Sequence, residues 1–291
     1  MSDCPVRLAR SRTRPFQGCN TGSNPVRDAF SLPRIPLKKR YGQHFISDRN
    51  LLRRIVRFAG IGSLDTVVEI GPGAGSLTCE LAAAARKVIA VEIDCDLIPG
   101  LRAGAPTNVE IIESDALAVD FNTLTDVVFH VAGNLPYNIS APLIKKFISN
   151  RARIVNATIM IQKEVAERIR AKPGSRDYGP LSVLVQYYAE PVWGFTVPRG
   201  AFTPRPKVDS AVIRLDWKPN VPDFPDFTDF VQKAFSSRRK KLLNSLAAVF
   251  PSRPREALAR ALEDAGVSPA VRAETLSVDQ FLTVYNRTRG T

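Results

Sequence analysis

The sequence predicts an α/β fold, in which an open parallel sheet with intervening helices is followed by a smaller helical domain. Between about residues 66 and 134, short apolar runs that favour strands alternate with segments of helical period. After Leu215 the apolar residues recur at helical spacing alone. We therefore divide the chain into an arm (1–36), an α/β domain (37–215) and a helical domain (216–291).

Residues 1–36 have no hydrophobic period, and Arg, Pro, Gly, Ser and Asn dominate them, so we expect a disordered or loosely held arm. Residues 14–26 also resemble a translated transfer RNA gene, whose T-arm can be read as Gly-Ser-Asn-Pro. This resemblance favours a true start of translation downstream of the arm.

The composition is that of a globular, soluble protein, with 44% hydrophobic and 24% charged residues. No run approaches the roughly 18 to 20 consecutive apolar residues of a membrane helix, and no secretory signal is visible, so we expect a cytoplasmic protein. The four cysteines (Cys4, Cys19, Cys79 and Cys95) form no CxxC pair, and there are two histidines. Neither a zinc site nor a disulfide framework is therefore expected.

The formal charge of +13 is concentrated at the two ends of the chain. Residues 1–40 hold nine basic against two acidic side chains, residues 41–197 hold 16 of each, and residues 198–291 hold 16 against 10. Basic surfaces suit a polyanionic partner, because each neutralised phosphate releases counterions. The alternative is a solvated basic surface without a partner.

Ordered sequence is expected from Leu37. Ser47 or Asp48 can cap a helix, because apolar residues recur after them at helical spacing. Those residues are Leu51, Leu52, Ile55, Val56 and Phe58.

A short apolar strand ending at Ile70 runs into a glycine-rich turn that contains Gly71, Gly73 and Gly75, and a helix follows. Glycines let the backbone approach a ligand closely, and the turn leads into a helix amino terminus. The turn does not read GxGxxG, and Ser76 counts against a nicotinamide or flavin dinucleotide site.

Polar residues follow the next three predicted strands. Glu92 stands about 20 residues after the glycines, where an acidic side chain can accept ribose hydroxyls. Asp115 follows the third strand and Asn134 the fourth. Singly, Glu92 is compatible with a helix cap and Asp115 with an ordinary loop. Because parallel strands present their carboxyl ends at one ligand-binding edge, the set together favours an adenosine-containing cofactor.

The fourth strand delivers Asn134, Leu135, Pro136 and Tyr137. The Asn side-chain oxygen and a backbone carbonyl can hold an exocyclic NH2 group, and the Tyr ring can stack on a heterocycle. This tetrapeptide therefore predicts a site for an amino-bearing base. The alternative is a tight turn after a strand, since Asn and Pro are ordinary turn residues.

Eight motifs together resemble the ribosomal RNA adenine N6,N6-dimethyltransferases of the KsgA type. They are Tyr41–Phe45, Glu69–Gly75, Val91–Asp94, Ser114–Ala116, Asn134–Ile139, Phe202–Val208, Arg238–Asn244 and Glu274–Ser277. The resemblance runs from about residue 37 to 287 and is specific as a set. The arm before it departs from the family.

The resemblance implies a Rossmann-like class I methyltransferase domain that uses S-adenosyl-L-methionine, with a small helical domain after it. His44 and Ile46 would line the cofactor entrance, although many relatives carry Asn where this chain has His44. The remaining cofactor contacts implied are Gly71 and Gly73 under the cofactor, Glu92 on the ribose, Asp115 on the adenine amine, and Asn134 on both cofactor and target.

The resemblance also implies the target: N6 of two adjacent adenosines near the 3′ end of small-subunit (16S) ribosomal RNA, dimethylated in a pre-ribosomal 30S particle during ribosome biogenesis. Asn134 would be the central catalytic residue, assisted by the Leu135 or Pro136 carbonyl, and Tyr137 would stack on the base. We expect a monomer, and no metal, because methyl transfer from a sulfonium mainly requires alignment.

Two further RNA contacts are predicted. Phe202 would close the opposite face of the base, or else pack in the core where the domains join. The run Arg238, Arg239, Lys240 and Lys241 lies within a predicted helix from 227 to 250 and would bind phosphate, although such a run is also compatible with a solvated face. Helices are also predicted for 255–265 and 278–285.

Three other functions remain open on the sequence. The first is a resistance-type methyltransferase for large-subunit (23S) ribosomal RNA, which uses the same cofactor motifs. The second is a non-catalytic ribosome-assembly factor that retains the fold. A small-molecule methyltransferase is the third, and it leaves the basic ends unexplained.

Overall fold

The computed structural model describes residues 42–224, 226–236 and 240–289. The predicted arm and the predicted phosphate contacts Arg238 and Arg239 lie outside these ranges. Within them, no helix combines the length and the apolar character needed to cross a membrane.

The chain forms two compact units. The first extends to Gln162 and includes Gly194–Arg214, and the second comprises Lys163–Trp193 and the chain from Leu215. The chain thus passes between the units after Gln162, after Trp193 and after Arg214. The division into domains near residue 215 stays a prediction.

The described residues contain nine β-strands in two sheets. They are β1 (Phe45–Ile46), β2 (Thr66–Ile70), β3 (Lys87–Glu92), β4 (Val109–Glu113), β5 (Phe129–Asn134), β6 (Ile154–Gln162), β7 (Ala189–Val197), β8 (Phe202–Thr203) and β9 (Ser210–Trp217). The larger sheet has the order β4-β3-β2-β5-β6-β9-β7, and β1 pairs with β8.

The same residues contain ten α-helices. They are α1 (Arg49–Ala59), α2 (Ser76–Ala84), α3 (Ile98–Gly104), α4 (Ser140–Ser149), α5 (Lys163–Ile169), α6 (Pro180–Tyr188), α7 (Phe227–Ala234), α8 (Leu242–Val249), α9 (Arg255–Asp264) and α10 (Val278–Arg289).

Neighbouring strands from β4 to β6 run parallel. Strand β2 is buried along its whole length and β3 beyond its first residue, as expected for parallel strands covered on both faces. Ile70 pairs with Val91, and Glu92 pairs with Glu113, so β2, β3 and β4 end level with one another. The predicted α/β fold is confirmed, and the loops after these strands meet at one edge.

Helix α1 is capped by Asp48, whose carboxylate accepts the backbone N–H groups of Asn50 (2.9 Å) and Leu51 (3.3 Å). Ser47 was the alternative cap, and the structure selects Asp48. The helix ends at Ala59, and Gly60, with a φ of 69°, caps its carboxyl terminus. Its buried residues are Leu52, Ile55, Val56 and Ala59.

The short β1–β8 ladder was not predicted. Phe45 pairs with Thr203, and Ile46 pairs with Phe202. This ladder fixes the segment before α1 against the loop that contains Phe202, although about 157 residues of chain separate the two. Local sequence carries no signal for such a distant pairing.

In the second unit, aromatic side chains from three helices form the centre of the core. The Tyr285 ring lies 5.2 Å from that of Phe227 and 5.3 Å from that of Phe230, and the Tyr187 ring lies 4.8 Å from that of Phe227. These separations are typical of packed aromatic pairs. Helices α6, α7 and α10 are therefore held around one cluster.

The single helix predicted from 227 to 250 is wrong. Helix α7 ends at Ala234, and α8 begins at Leu242. Lys241, with φ −60° and ψ 144°, is extended, and the backbone N–H of Leu242 bonds to the Val271 carbonyl at 2.7 Å. Because that amide is bonded to a distant segment, α8 starts as a separate helix. Lys240 and Lys241 consequently precede it instead of lying within a helix.

Candidate active site

A cavity of about 310 Å³ opens in the first unit at the carboxyl ends of the parallel strands. Ten of the predicted site residues line it: His44, Ile46, Gly71, Gly73, Glu92, Asp115, Asn134, Leu135, Pro136 and Tyr137. Its other lining residues include members of α1 and of the glycine turn, Glu69 and Met160. The cavity thus joins the side chains that sequence reasoning placed at separate strand ends.

The two glycines after β2 are needed for different reasons. Gly71 has a φ of 67°, and a Cβ atom there would meet nothing within 4 Å. Gly73 has a φ of 57°, and a Cβ atom there would lie 2.8 Å from the Phe45 ring. Gly71 therefore leaves open space beside the backbone, as a cofactor cradle requires, whereas Gly73 also admits Phe45.

The Glu92 carboxylate, 5% exposed, is held rigidly beside the glycine turn. It accepts the backbone N–H groups of Gly73 (3.0 Å), Ile93 (3.0 Å) and Asp94 (2.9 Å). Burial raises the pKa of Glu92, and these bonds counteract the rise. A carboxylate offers about four acceptor sites, so roughly one remains for a ligand hydroxyl. Glu92 caps no helix, and its position fits the ribose of an adenosine-containing cofactor.

Asp115 lies on the loop after β4, and its Oδ1 accepts the backbone N–H of Leu117 at 2.8 Å. The ammonium of Lys146 on α4 anchors this loop, because it donates to the carbonyls of Leu117 (2.7 Å) and Val119. Burial lowers the pKa of Lys146, while Asp115 and Asp120 counteract that shift. Within the described part of the chain, Oδ2 of Asp115 accepts no hydrogen bond, so that oxygen can accept one from a ligand amine.

Asn134 is oriented by a residue from the amino-terminal segment. Its Nδ2 donates to the backbone carbonyl of His44 at 2.8 Å. Since the amide nitrogen is used there, Oδ1 is the group that Asn134 presents to a ligand in the cavity. The contact from His44 is a backbone one, which an Asn at that position would also supply.

The backbone after Asn134 distinguishes the two candidate carbonyls. The Pro136 carbonyl accepts the backbone N–H of Ile139 at 3.1 Å in a tight turn. The backbone N–H of Leu135 donates to the Met160 carbonyl at 3.0 Å, which holds the chain beside β6 at this point, and the Leu135 carbonyl accepts no turn hydrogen bond among the described residues. The Leu135 carbonyl is therefore the better partner for Asn134 Oδ1 in holding an NH2 group.

The His44 ring, whose residue orients Asn134, contacts two other rings. The His44 ring lies 5.5 Å from that of Tyr137 at 30°, and 6.4 Å from that of Phe202 at 80°. His44 Nδ1 lies 2.7 Å from the Pro204 carbonyl, and because a carbonyl only accepts, Nδ1 carries the proton. Phe202 is 4% exposed and belongs to the core cluster, so it contacts His44 from within the core.

The Tyr137 hydroxyl forms a 2.8 Å hydrogen bond with the Ser210 hydroxyl. Burial raises the pKa of Tyr137, Asp209 adds to the rise, and the Ser210 bond counteracts it. The phenol therefore stays neutral, and the hydrogen bond fixes the position of the hydroxyl end of the ring.

Sequence reasoning missed Glu69, a cavity residue that is 1% exposed. Its Oε2 has no hydrogen-bond partner among the described residues. Burial raises the pKa of Glu69 to about 8; the Thr78 hydroxyl counteracts this shift and Glu92 adds to it. The available signal was a carboxyl within the apolar run of β2, immediately before the glycine turn.

The remaining predicted residues lie elsewhere. Lys240 and Lys241 are exposed in the second unit. Among the described residues, ligand atoms of Asp94, Cys95 and Asp96 lie within 4.8 Å of one another. The Asp94 carboxylate already accepts Gln43 Nε2 at 2.7 Å, so this group has local partners that account for it.

The family model for ribosomal RNA adenine dimethylase matches residues 35–289. Ribosomal RNA small subunit methyltransferase A of Moorella thermoacetica is 42% identical over 266 residues, which cover 86% of this chain and 91% of the relative. The protein of that name from Geobacillus thermodenitrificans is 43% identical over 263 residues, 86% of this chain and 90% of its own.

Two solved structures are also similar. A dimethyladenosine transferase from Plasmodium falciparum has a TM-score of 0.72 at 29% identity, over 85% of this chain and 98% of its own. The 23S ribosomal RNA methyltransferase ErmE has a TM-score of 0.61 at 29% identity, over 84% and 98%.

Proposed function

We propose that this chain, which belongs to the ribosomal RNA adenine dimethylase family and is an S-adenosyl-L-methionine-dependent ribosomal RNA adenine dimethyltransferase, acts on two adjacent adenosines near the 3′ end of small-subunit ribosomal RNA. The substrate is a pre-ribosomal 30S particle in the cytoplasm, and the enzyme acts as a monomer without a metal. The names and the 42 to 43% identity of the bacterial relatives support the small-subunit target.

The cofactor site combines the carboxyl ends of β2, β3 and β4 with the β1 segment. Bound S-adenosyl-L-methionine supplies an electrophilic methyl group on a positively charged sulfur. Gly71 and Gly73 let the backbone pass under the ligand, Glu92 accepts a ribose hydroxyl, and Asp115 accepts the adenine amine. The β1 segment with His44 and Ile46 forms the wall on the methionine side.

The single observation that carries the catalytic proposal is the bond from Asn134 Nδ2 to the His44 carbonyl. It leaves Asn134 Oδ1 to accept one proton of the target N6, and the Leu135 carbonyl accepts the other. These bonds draw the nitrogen lone pair out of conjugation with the ring and toward the methyl group. The protein contributes alignment, which is the main requirement of an in-line displacement.

Tyr137 stacks on the target adenine, an interaction worth about 1 to 3 kcal/mol per base in other systems. Phe202, which lies edge-on to His44, supports this ring cluster from the core. The base must leave its own stack to reach N6, so the substrate adenosines lie in a loop or are flipped. After the first transfer the methylated N6 loses one proton to water, and its one remaining proton can bond Asn134 Oδ1.

The run from Arg238 to Lys241 binds phosphates of the RNA. The exposure of Lys240 and Lys241 before α8 supports this role. Exposed lysine side chains can reach a polyanion without displacing packed structure.

The likeness to ErmE favours a second candidate, methylation of large-subunit ribosomal RNA. The identity to ErmE is 29%, below that of the small-subunit relatives. A non-catalytic assembly role has weaker support, because every predicted cofactor residue lines one cavity.

The test is transfer of labelled methyl from S-adenosyl-L-methionine to small-subunit particles that lack the modification, with large-subunit RNA as a parallel substrate. We expect dimethyladenosine in the small-subunit RNA, abolished by Asn134→Ala and retained by the exposed control Asn122→Ala. Label in large-subunit RNA alone would support the second candidate. Particle binding without label in either RNA would make the chain an assembly factor.

A further inference from the structure

Four of the eleven residues of α1 are arginines, and all four lie on its outward face: Arg49, Arg53, Arg54 and Arg57. We call this set the α1 arginine face. The opposite side of the helix is buried, and Leu52 and Ile55 on it line the cofactor cavity. One helix therefore closes the active site with its inner side and presents cations on its outer side.

The charges on this face are arranged unlike those on α5, another exposed helix of the described chain. On α5, Lys163 pairs with Glu167 at 3.7 Å, and Arg168 pairs with Glu164 at 2.7 Å. Such opposite charges four residues apart stabilise a solvated helix.

On α1 the positions four residues apart carry like charges: Arg49 with Arg53, and Arg53 with Arg57. Like charges at this spacing destabilise a helix, and Arg49 also opposes the helix dipole in the first turn. Asp48 at the amino terminus accepts backbone N–H groups as the cap. The face is therefore poorly neutralised by its own helix.

The arginine heads are nevertheless held in place. Arg49 Nε donates to one Glu80 oxygen at 2.9 Å, and Arg53 Nε donates to the other at 3.0 Å. The Glu80 side chain is 9% exposed, against 49% for Arg49 and 53% for Arg53. One recessed carboxylate thus aligns two guanidinium groups side by side, with a net positive charge.

The face also includes the Nη groups of Arg49 and Arg53 and the guanidinium of Arg54, which stacks on an aromatic ring. Within the described part of the chain, Arg49 and Arg53 bond to Glu80 through their Nε atoms, and their Nη groups donate no hydrogen bond to it. The Arg54 guanidinium lies 3.7 Å from the centre of the Phe195 ring, which also limits its freedom. Planar N–H forks that are fixed in advance suit bidentate recognition of phosphate.

We propose that the α1 arginine face binds the phosphodiester backbone of the RNA substrate beside the target adenosines. The proposal rests on the proposed function, since its ligand is the ribosomal RNA. Arg49, Arg53 and Arg57 advance along the helix in steps of about 6 Å, which allows them to follow successive phosphates of one strand. Four arginines without a lysine favour planar phosphate recognition over general attraction.

The test compares Arg57→Gln with Arg102→Gln, because each arginine lies in the last turn of a helix in the first unit. Arg53→Gln/Arg57→Gln is the stronger variant, and it keeps the Arg49 bond to Glu80. Binding to protein-free small-subunit RNA and to the particle is measured as a function of salt, together with S-adenosyl-L-methionine affinity and thermal unfolding.

A plot of log affinity against log salt concentration has a negative slope. We expect Arg57→Gln to reduce the magnitude of this slope by about 1, and the double variant by about 2. In both variants, the KM for the particle should rise while kcat is unchanged. The affinity for S-adenosyl-L-methionine and the unfolding temperature should stay as in the parent. Arg102→Gln should leave the slope unchanged. The proposal would be overturned if the double variant left the slope unchanged. It would also be overturned if Arg57→Gln and Arg102→Gln reduced the magnitude of the slope equally.

Two other results distinguish RNA binding by the α1 arginine face from protein binding by it, and from failure of the proposed small-subunit target. Weaker binding to the particle with unchanged binding to protein-free RNA would assign the face to an acidic ribosomal protein and overturn RNA binding. If the parent methylates large-subunit RNA alone, the proposed small-subunit target fails. A salt slope of smaller magnitude for binding of Arg57→Gln to large-subunit RNA would still support phosphate binding by the α1 arginine face.

Discussion

The Nδ2 atom of Asn134 donates a 2.8 Å hydrogen bond to the backbone carbonyl of His44, a residue 90 positions earlier in the chain. The bond fixes which end of the Asn134 amide faces the cavity. A segment that precedes the α/β sheet in sequence therefore sets the orientation of the proposed catalytic side chain.

Asn134→Asp should remove activity while the fold persists. The substitution keeps an oxygen acceptor but replaces the donor, so a carboxylate oxygen would face the His44 carbonyl and be repelled. We expect kcat to fall by about 100-fold or more, the usual cost of losing an oriented polar group at a reacting centre. Single-turnover methyl transfer measures it, with the exposed Asn122→Asp as control. Activity within threefold of the parent would show that the orientation is unimportant.

The buried Glu69 should make the ligand-free protein less stable as pH rises. Its pKa is raised from 4.5 to about 8, so the folded state holds a proton that the unfolded state releases. The stability that this proton contributes is fully present below about pH 4.5 and is lost as pH rises through about 8. Glu69→Gln should remove this part of the pH dependence.

Urea unfolding at pH 6 and pH 9 measures the effect, and the exposed Glu190→Gln serves as control. We expect the parent to lose more free energy of unfolding between these values than Glu69→Gln, by at least about 1 kcal/mol. Equal losses in the two proteins would show that Glu69 is ionised throughout.

Lys146→Met should weaken cofactor binding more than it slows chemistry. The ammonium anchors the loop of Asp115 through the carbonyls of Leu117 and Val119. Methionine preserves the side-chain length but donates no hydrogen bond, so the loop loses its anchor. We expect S-adenosyl-L-methionine affinity to fall by about 5- to 20-fold, corresponding to about 1 to 2 kcal/mol for the lost bonds.

Calorimetric titration of the cofactor measures this change, and Lys145→Met on the same helix is the matched control. A similar loss in both variants would point to the charge of α4 instead of the loop anchor.

Gly71→Ala and Gly73→Ala should have different consequences. Both glycines have positive φ, so each alanine costs roughly 1 to 2 kcal/mol of backbone strain. At Gly73 the new methyl group would also lie 2.8 Å from the Phe45 ring, whereas at Gly71 it would enter open space. Gly73→Ala should therefore destabilise the protein more.

Thermal unfolding and cofactor titration distinguish the two variants, and Gly71→Ala should weaken cofactor binding beyond its effect on stability. Gly174→Ala isolates the backbone strain, because Gly174 has a φ of 80° and open space around its Cβ position. Equal unfolding temperatures for Gly71→Ala and Gly73→Ala would exclude the Phe45 contact as a constraint.

The sequence by itself determined the α/β class and the convergence of Gly71, Glu92, Asp115 and Asn134 on one cavity. It could do so because strand ends are visible in local apolar patterns, and a parallel sheet brings its carboxyl ends to one edge. The motif order also determined the family and the cofactor.

Tertiary structure alone decided the direction of the Asn134 amide, the β1–β8 ladder, the separate start of α8 and the perturbed Glu69. Each depends on a contact between distant segments or on burial by several of them: the His44 carbonyl, the Phe202 strand, the Val271 carbonyl and the core around β2. Local propensity contains no information about such partners, because they are set by how the completed chain packs.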